Sequence, residues 1–385
     1  MPEPGRRRAA DVPVIFYNSF HGRFSDNPRA IYEELVARGV EAEHVWTARD
    51  ETRGEFPRGA RTVVPGSEEH LREVNRADFI VSNVEMRESL RKRPGVVFLQ
   101  TWHGTPLKRI GYDNRYVHAH PAAFERDVEE YEKWDFLVSP NSFSTEVFSS
   151  SEAFRGFRGE IIETGYPRND ILSSSRRGEV RDAVRAELGI EEGQTAILYA
   201  PTWRDNLFHE QGADAYSLTL DTDEVTRRLG DDSVLLLRLH FLVAASIADG
   251  AGPGVRNVSA YTDVRDLYLA ADVLVTDYSS VMFDFAITGK PMIFYAYDLE
   301  HYRDVMRGFY FDYEAEIPGP LCRTTDEVID ALTSLPRIRE RYIDSYEHFR
   351  RRFCHLEDGG AAGRVVERVF AESFAEPGAA ARPAF

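Results

Sequence analysis

A histidine that follows an apolar run is the first candidate for chemistry. The run 96–99 is typical of a strand buried on both faces, and His103 comes shortly after it. Thr105 is a favourable N-cap and Pro106 suits the first helical turn, so a helix is predicted to begin there. Ligands of open α/β sheets bind beyond the carboxyl ends of strands, which is where this places His103. A lone histidine more often fills a loop, but the neighbouring Gly104 and the helix start favour a functional role.

A second candidate site is the polar turn within 274–284, between an apolar strand and a helix. Ser279 and Ser280 are predicted to lie at the helix N-terminus, where backbone N–H groups, hydroxyls and the helix dipole suit a phosphate or pyrophosphate. One serine could be only an N-cap, but two hydroxyls beside Thr276 exceed what a cap needs. Asp284, about one turn further on, could reach a ribose hydroxyl.

Two cationic side chains end a third apolar run, Leu237-Arg238-Leu239-His240. Burying either Arg238 or His240 without a partner would cost several kcal/mol. An anionic ligand is one partner that the pattern predicts. A carboxylate of the same chain, such as Asp272 or Asp277, is the alternative explanation.

The segment 200–205, Ala-Pro-Thr-Trp-Arg-Asp, follows a further apolar run and also combines a cation with an aromatic ring. Thr202 and Arg204 could contact the same ligand as Arg238. Arg204 could instead form only a local ion pair with Asp205.

Composition and missing motifs exclude several classes of protein. Among 385 residues the net charge is −17, which argues against nucleic acid as a partner, and two cysteines are too few for a disulfide framework. The sequence contains no Walker loop, GxGxxG, HExxH or GxSxG at a strand-to-helix turn, which disfavours the enzyme classes that use them. Metal binding by two separated histidines with scattered aspartates stays open but weakly supported.

Targeting signals are also missing from the sequence. The arginine-rich start lacks a following apolar segment, and the most apolar stretch, 234–248, is interrupted by charge and too short to span a bilayer. We expect a cytoplasmic protein whose membrane contact is peripheral, at the inner face of the cell membrane. Two basic clusters could provide that contact: residues 87–93, with Arg87, Arg91, Lys92 and Arg93, and residues 350–352, with Arg350, Arg351 and Arg352. An ordinary solvated surface explains each cluster equally well.

Alternating apolar and helical segments predict parallel α/β architecture in both halves of the chain. Strands are predicted at 12–17, 43–46, 79–82, 96–101, 136–139, 161–164, 196–200, 234–239, 273–276 and 292–295. The predicted organisation is a first domain at 12–170, a connection at 171–193, a second domain at 194–335, helices at 336–371 and a disordered tail at 372–385. Two Rossmann-like α/β domains facing across a cleft predict a GT-B-like fold, ahead of a single large doubly wound sheet.

Six segments carry a resemblance to a known family. They are FLQTWHGTPLK at 98–108, GYPRND at 165–170, APTWRD at 200–205, LRLH at 237–240, TDYSSVMFD at 276–284 and RGFYFD at 307–312. In this order they resemble the CDP-glycerol glycerophosphotransferase family, the teichoic acid primases and polymerases. The resemblance covers about Val14 to Phe370.

The resemblance implies a reaction and a role for each matched residue. An alcohol phosphate moves from CDP-glycerol or CDP-ribitol, held by the second domain, to a lipid-linked or polyol-phosphate acceptor held by the first, with release of CMP. His103 matches the proposed base and His240 a second essential histidine, without cofactor or metal. The donor side comprises Thr202, Arg204, Arg238, Thr276, Asp277, Ser279, Ser280 and Asp284, and the acceptor side Gly104, Thr105 and Lys108.

The sequence departs from the family pattern where the resemblance implies that the first domain would hold its acceptor: Asn83-Val84-Glu85-Met86 replaces the more usual Asn-Ser-Arg or Asn-Arg. The resemblance therefore does not predict the identity of the acceptor, nor whether the chain is a homo-oligomer. Two alternatives stay open: a GT-B glycosyltransferase that uses a nucleotide-sugar, and a non-catalytic nucleotide-binding subunit. Retention of both histidines disfavours the second.

Overall fold

Two parallel β-sheets organise the chain in this computed structural model, which describes residues 12–86, 90–114, 121–202, 218–239 and 254–374. The first sheet has the strand order β3-β2-β1-β4-β5-β6-β7 and the second β10-β9-β8-β11-β12-β13. The strands of the first sheet are β1 (Val14–Asn18), β2 (Glu43–Thr47), β3 (Arg61–Val63), β4 (Phe79–Ser82), β5 (Val97–Gln100), β6 (Phe136–Ser139) and β7 (Glu160–Glu163). The strands of the second are β8 (Thr195–Ala200), β9 (Ser233–Leu237), β10 (Val255–Asn257), β11 (Val273–Thr276), β12 (Met292–Tyr295) and β13 (Leu321–Cys322). The predicted two-domain α/β fold is confirmed.

Helices cover both faces of each sheet, which is why the central strands are continuously apolar. In β1, Val14 and Phe16 pack into one core while Ile15 and Tyr17 pack into the other, as the alternation of side chains along a strand requires. The helices before the second sheet are α1 (Asp26–Ala37), α2 (Glu68–Arg76), α3 (Pro121–Tyr131), α4 (Ser142–Ser150), α5 (Asp170–Ser173) and α6 (Arg177–Glu187). Those that follow are α7 (Thr222–Leu229), α8 (Val264–Ala270), α9 (Val281–Ala286), α10 (Leu299–His301), α11 (Tyr313–Glu316), α12 (Thr325–Leu332), α13 (Leu335–Arg341), α14 (Ile343–Phe353) and α15 (Ala361–Phe374).

The last two helices divide between the two domains. Phe349 and Phe353 of α14 are buried in the core of the second domain. Helix α15 crosses back, and its Val365 and Phe370 are buried against the first sheet. The helix ends at Phe374, three residues beyond the predicted limit, and the rest of the predicted tail lies outside the described residues. The predicted connection 171–193 contains α6, whose Val184 belongs to the second core.

The ten predicted strands are present, but three others were not predicted from the sequence. The missed strands β3, β10 and β13 have only two or three residues each. They lie at sheet edges and are too short for the apolar run that marks a buried strand, and β3 and β10 also contain exposed polar residues.

The helix predicted to begin at Thr105-Pro106 is wrong. Residues 105–107 have no helical assignment, and Lys108 instead forms an antiparallel bridge with Phe309 of the second domain. Two flanking hydrogen bonds extend this pairing, from Tyr310 N–H to the Leu107 carbonyl at 2.9 Å and from Arg109 N–H to the Gly308 carbonyl at 3.1 Å. The backbone groups that a helix would use are therefore committed to pairing across the domains.

Candidate active site

A cavity of about 620 Å³ lies between the two domains, at the carboxyl ends of the strands of both sheets. The first domain contributes residues that follow β1 and β5, and the second contributes residues that follow β8, β9 and β11. The predicted site residues that line it are His103, Lys108, Thr202, Arg238, Ser279, Ser280 and Asp284. The strand ends that the sequence analysis selected are thus brought together in one cleft.

His103 lies in the loop after β5 with its imidazole exposed to the cleft. Its Nδ1 is 2.7 Å from the backbone carbonyl oxygen of Asn83. Because a carbonyl oxygen can only accept, Nδ1 carries the proton in this contact, and Nε2 of the neutral ring keeps its lone pair. The ring stacks on Trp102 and meets Phe20 edge-on, which fixes its plane. This arrangement suits a general base.

Strained backbone surrounds this histidine. Trp102 has φ +52°, and Phe20, His21 and Asp26 also have positive φ values. These are the non-glycine residues with left-handed backbone in the described part of the chain, and all four lie beside or in the cleft. Such conformations cost about 1–3 kcal/mol each and persist where the surroundings enforce them, most often at functional sites.

Gly104 brings the histidine loop into contact with the second domain. A Cβ atom at this position would lie 2.6 Å from the Ser280 hydroxyl oxygen and 3.0 Å from the Ser280 Cβ. The Gly104 N–H donates to the Tyr166 hydroxyl at 3.2 Å, which holds the backbone in place. A larger residue here would displace the Ser280 side chain, so glycine permits the close approach between the domains.

Ser279 and Ser280 form the turn between β11 and α9, as predicted. Ser280 occupies the N-cap position, but its side chain makes no capping hydrogen bond within the described structure. Ser279 Oγ accepts a long 3.4 Å bond from the Val281 N–H. Simple capping therefore does not account for the two hydroxyls, and both line the cavity.

Thr276 and Asp277 are buried and do not line the cavity. The Thr276 hydroxyl donates to the Ala200 carbonyl at 2.7 Å, and Asp277 Oδ1 accepts from the Thr202 N–H at 2.7 Å. Both bonds tie β8 to β11. These bonds position the turn, and the predicted contact of Thr276 and Asp277 with the donor stays a prediction.

Arg238 enters the cavity wall from the end of β9. Its guanidinium donates to the backbone carbonyls of Val258 and Tyr261. The carboxylates weighed as alternative partners are engaged elsewhere, since Asp272 pairs with Arg185 at 3.0 Å and Asp277 accepts from Thr202. Burial lowers the pKa of Arg238. Neutral carbonyl partners orient the cation without neutralising it, so it suits an anionic ligand.

The remaining predicted residues have varied positions. Thr105 is buried, and its hydroxyl accepts a 3.4 Å bond from the side chain of Asn141, while its predicted acceptor-side role stays a prediction. His240 and Arg204 lie outside the described residues, so their roles stay predictions.

A buried arginine that the sequence analysis did not select links both domains to the histidine loop. Arg168 donates to Asp26 at 2.7 Å, to Asp284 of the second domain at 2.6 Å and to the His103 carbonyl at 2.8 Å. Asn169 donates to the other carboxylate oxygen of Asp284 at 2.9 Å. Both oxygens of Asp284 thus have protein partners, and its predicted contact with ribose stays a prediction. Arg168 lies within GYPRND, and that motif was the available signal.

Cations outnumber acids around the cavity. The arginine and lysine side chains that line it are Arg23, Arg49, Lys108, Arg168, Arg238 and Arg307, whereas the acids are Asp26, Asp263 and Asp284. The cleft is therefore locally basic in a chain whose net charge is −17. Among the described residues, no group of three His, Cys, Asp or Glu side chains is arranged to hold a metal ion.

Comparison with known proteins agrees with this geometry. The model of the family described as CDP-Glycerol:Poly(glycerophosphate) glycerophosphotransferase matches residues 6–371. A teichoic acid glycerol-phosphate transferase of Staphylococcus aureus is 40% identical, with 93% of this chain and 92% of that protein covered. A teichoic acid poly(glycerol phosphate) polymerase of Bacillus subtilis is 39% identical over 94% of this chain, which spans 50% of that longer protein.

Solved structures give the same result. The wall teichoic acid polymerase TagF superposes with a TM-score of 0.85 at 35% identity, covering 93% of this chain and 89% of that one. A histidine-to-asparagine variant of TagF soaked with CDPG matches equally well, with 88% of that chain covered. A UDP-N-acetylglucosamine 2-epimerase from Listeria monocytogenes, at 15% identity and a TM-score of 0.52 over 97% of this chain and 99% of that one, shares the fold alone. The chain belongs to the CDP-glycerol:poly(glycerophosphate) glycerophosphotransferase family.

Proposed function

We propose that this protein transfers glycerol phosphate from CDP-glycerol to a hydroxyl group of a polyol-phosphate acceptor and releases CMP, as a step in teichoic acid synthesis. One observation carries the proposal. The imidazole of His103, held by Asn83 in the tautomer that can accept a proton at Nε2, faces the cleft beside Ser279 and Ser280. A base on one wall and an anion site on the other are what transfer of a phosphate to a hydroxyl requires.

The reaction follows from this placement. Nε2 of His103 takes the proton of the acceptor hydroxyl as its oxygen attacks the distal phosphorus of CDP-glycerol. A new phosphorus–oxygen bond forms, the bond between phosphorus and the bridging oxygen breaks, and CMP leaves with the electron pair of that bond. His103 then returns its proton to solvent. Because such transfers depend mainly on positioning and electrostatics, the fixed tautomer and the basic cleft supply the main contributions.

Each wall of the cleft has its own part in this scheme. Arg238 and the two serines stabilise charge on the transferring phosphate and on the departing CMP. His240 assists them, as the family resemblance implies. Phe20 and Trp102 shield one side of the imidazole, and they limit the directions from which an acceptor hydroxyl can approach.

A donor screen tests the proposal. Purified protein is mixed with CDP-glycerol, CDP-ribitol, UDP-sugars or GDP-sugars and a synthetic glycerol phosphate trimer, and release of CMP or of a nucleoside diphosphate is followed. We expect CMP from CDP-glycerol. Nucleoside diphosphate released from a nucleotide-sugar would instead identify a glycosyltransferase, and no product from any donor would identify a binding subunit.

We also infer that the protein works at a membrane surface, because lipid-linked acceptors are expected there. No described helix has the length and apolar character needed to cross a bilayer. In the late cluster Arg350 and Arg351 are exposed on α14, with Arg351 3.6 Å from Glu347, and Arg352 pairs with Glu316. In the early cluster Arg91 is exposed, Lys92 pairs with Asp135 and Arg93 donates to backbone carbonyls at the end of α2, while Arg87 lies outside the described residues. We choose the late cluster for the test because two of its exposed arginines are adjacent.

Vesicle co-sedimentation tests this inference. Binding to anionic vesicles should weaken as salt rises and should fall in the variant R350E/R351E. Equal pelleting with neutral and anionic vesicles would contradict it.

A further inference from the structure

A second cavity, of about 660 Å³, lies in the first domain beside the cleft. It opens at the carboxyl ends of β1 and β2, which contribute Asn18 and Thr47, and one wall comes from α3. His21 lines both this cavity and the interdomain cleft, so the two spaces are neighbours. Its lining includes Glu85 and Met86, from the segment that departs from the family pattern, but none of the predicted catalytic, donor-side or acceptor-side residues.

Two buried polar atoms in its wall have no protein partner. Asn18 and Thr47 are 3% and 2% exposed, and the Asn18 Oδ1 and Thr47 Oγ1 atoms make no hydrogen bond within the described structure. The Asn18 amide nitrogen, in contrast, is held by Ser82 Oγ at 3.3 Å and by the Met86 sulfur at 3.1 Å, which directs the oxygen. Buried polar atoms without partners are rare, because each costs about 1–3 kcal/mol. The two atoms in this cavity are therefore available to hydrogen-bond a ligand that supplies hydroxyl groups.

The rest of the lining is polar and carries both charges, with Arg126 and Lys133 as cations and Glu85 and Glu129 as acids. His70 is buried, and its Nδ1 accepts from the Gly66 N–H at 3.4 Å, so its Nε2 carries the proton and can donate. Burial lowers the pKa of His70, which favours this neutral form. Arg126, on the exposed face of α3, supplies a cation at the rim.

The wall between the two cavities is the same segment that positions the base. The Phe20 N–H donates to Asn83 Oδ1 at 2.9 Å, and the Asn83 carbonyl accepts from His103. Phe20 also contacts the imidazole edge-on, and both Phe20 and His21 have left-handed backbone. A polymeric ligand bound in the second cavity thus needs to cross only this short wall for its terminal group to reach His103.

We propose that this cavity, which we name the polyol pocket, binds a glycerol phosphate unit of the acceptor next to the unit whose hydroxyl is attacked. A ligand hydroxyl donates to Asn18 Oδ1, a second hydroxyl bonds Thr47 Oγ1, and a phosphate lies near Arg126. The assignment of the ligand as acceptor rests on the proposed function.

The test uses Thr47→Val, which replaces the unpartnered hydroxyl with a methyl group of nearly the same shape. Initial rates of CMP release are measured at fixed CDP-glycerol against a synthetic glycerol phosphate trimer. We expect the KM for the trimer to rise about three- to tenfold, the effect of one lost hydrogen bond, with kcat nearly unchanged. Arg126→Gln should raise the same KM and reduce its dependence on salt. The matched control is Thr226→Val on α7, whose hydroxyl bonds the Thr222 carbonyl far from both cavities.

The melting temperature and the Kd for CDP-glycerol show whether a change in KM comes from the pocket or from a loss of folding or donor binding. Because the Thr47 hydroxyl has no protein partner, Thr47→Val should melt at the wild-type temperature or above it, and should keep the wild-type Kd for CDP-glycerol. An unchanged KM for the trimer in both variants would overturn the polyol pocket while leaving the proposed function intact. Calorimetric titration of the trimer gives a readout that does not need turnover. Equal binding of the trimer by wild type and Thr47→Val, or no binding by wild type at millimolar trimer, would also overturn the polyol pocket.

Discussion

Replacing Arg168 should destabilise the protein more than any exposed ion pair could. Arg168, Asp26 and Asp284 are 3%, 4% and 4% exposed, and the guanidinium bonds both carboxylates within 2.7 Å. Arg168→Met leaves two carboxylates buried without their cation, a change that costs about 3–5 kcal/mol when a buried pair is broken. It also removes the donor that holds the His103 carbonyl.

Urea denaturation followed by tryptophan fluorescence measures this loss. The matched control is Arg323→Met, which removes a half-buried arginine that bonds both oxygens of the exposed Glu300 at 2.7 Å and should cost less than about 1 kcal/mol. A triple variant in which Asp26→Asn and Asp284→Asn accompany Arg168→Met should recover much of the loss, because neutral amides need no cation. If Arg168→Met cost no more than the control, the buried network would not hold the domains as we argue.

Activity gives a second readout of the same network. Arg168→Lys keeps the charge but cannot reach three acceptors in the same planar arrangement. We expect it to fold, to keep its affinity for CDP-glycerol and to lose turnover, because the loop that carries His103 is held less firmly. Wild-type kcat in Arg168→Lys would show that the His103 carbonyl needs no support from the guanidinium.

Three further predictions concern the cleft and its surroundings. His103→Ala should keep donor binding by calorimetry yet lose about a hundredfold or more in CMP release, the usual contribution of a general base, and full turnover would remove its catalytic role. Ser279→Ala with Ser280→Ala should abolish the thermal stabilisation given by CDP-glycerol, and an undiminished shift would place the phosphate elsewhere. Burial raises the pKa of Glu357 from 4.5 to about 8, so the folded state favours the protonated carboxyl and the free energy of unfolding should fall as pH rises from about 4.5 to 8. Glu357→Gln should flatten that decline in urea titrations at several pH values, and an unchanged slope would assign it to other groups.

The sequence predicted the central strands and the candidate site because both leave local signals. A strand buried on two faces requires a continuous apolar run, and polar residues at its carboxyl end mark the ligand side of the sheet. His103 and Ser280 could each be found in this way without knowledge of the other. Their proximity across the cleft could not be predicted from the sequence, since the contact at Gly104 depends on how the domains meet.

The wrong helix and the overlooked Arg168 have one cause: both depend on tertiary contacts, which leave no local signal in the sequence. Thr105 and Pro106 satisfy the local rules for a helix start, but the following backbone pairs with Phe309, about 200 residues away, and this tertiary pairing overrides local preference. The bonds from Arg168 and Asn169 of the other domain to Asp284 could not be predicted from local spacing either, and the ribose contact expected of Asp284 stays a prediction. Arg168 was overlooked because only its position between two distant carboxylates distinguishes it from a surface arginine.

The return of α15 to the first domain determines when that domain can finish folding during synthesis. Val365 and Phe370 complete a core whose last strand, β7, ends at Glu163. A ribosome adds about 5–20 residues per second, so the first sheet waits roughly 10–40 s with this apolar face uncovered. The second domain is synthesised during that interval, and it can fold first although it comes later in the chain. A nascent chain stopped before Ala361 should therefore expose the first sheet to chaperones, and release of the last helix then completes the first domain.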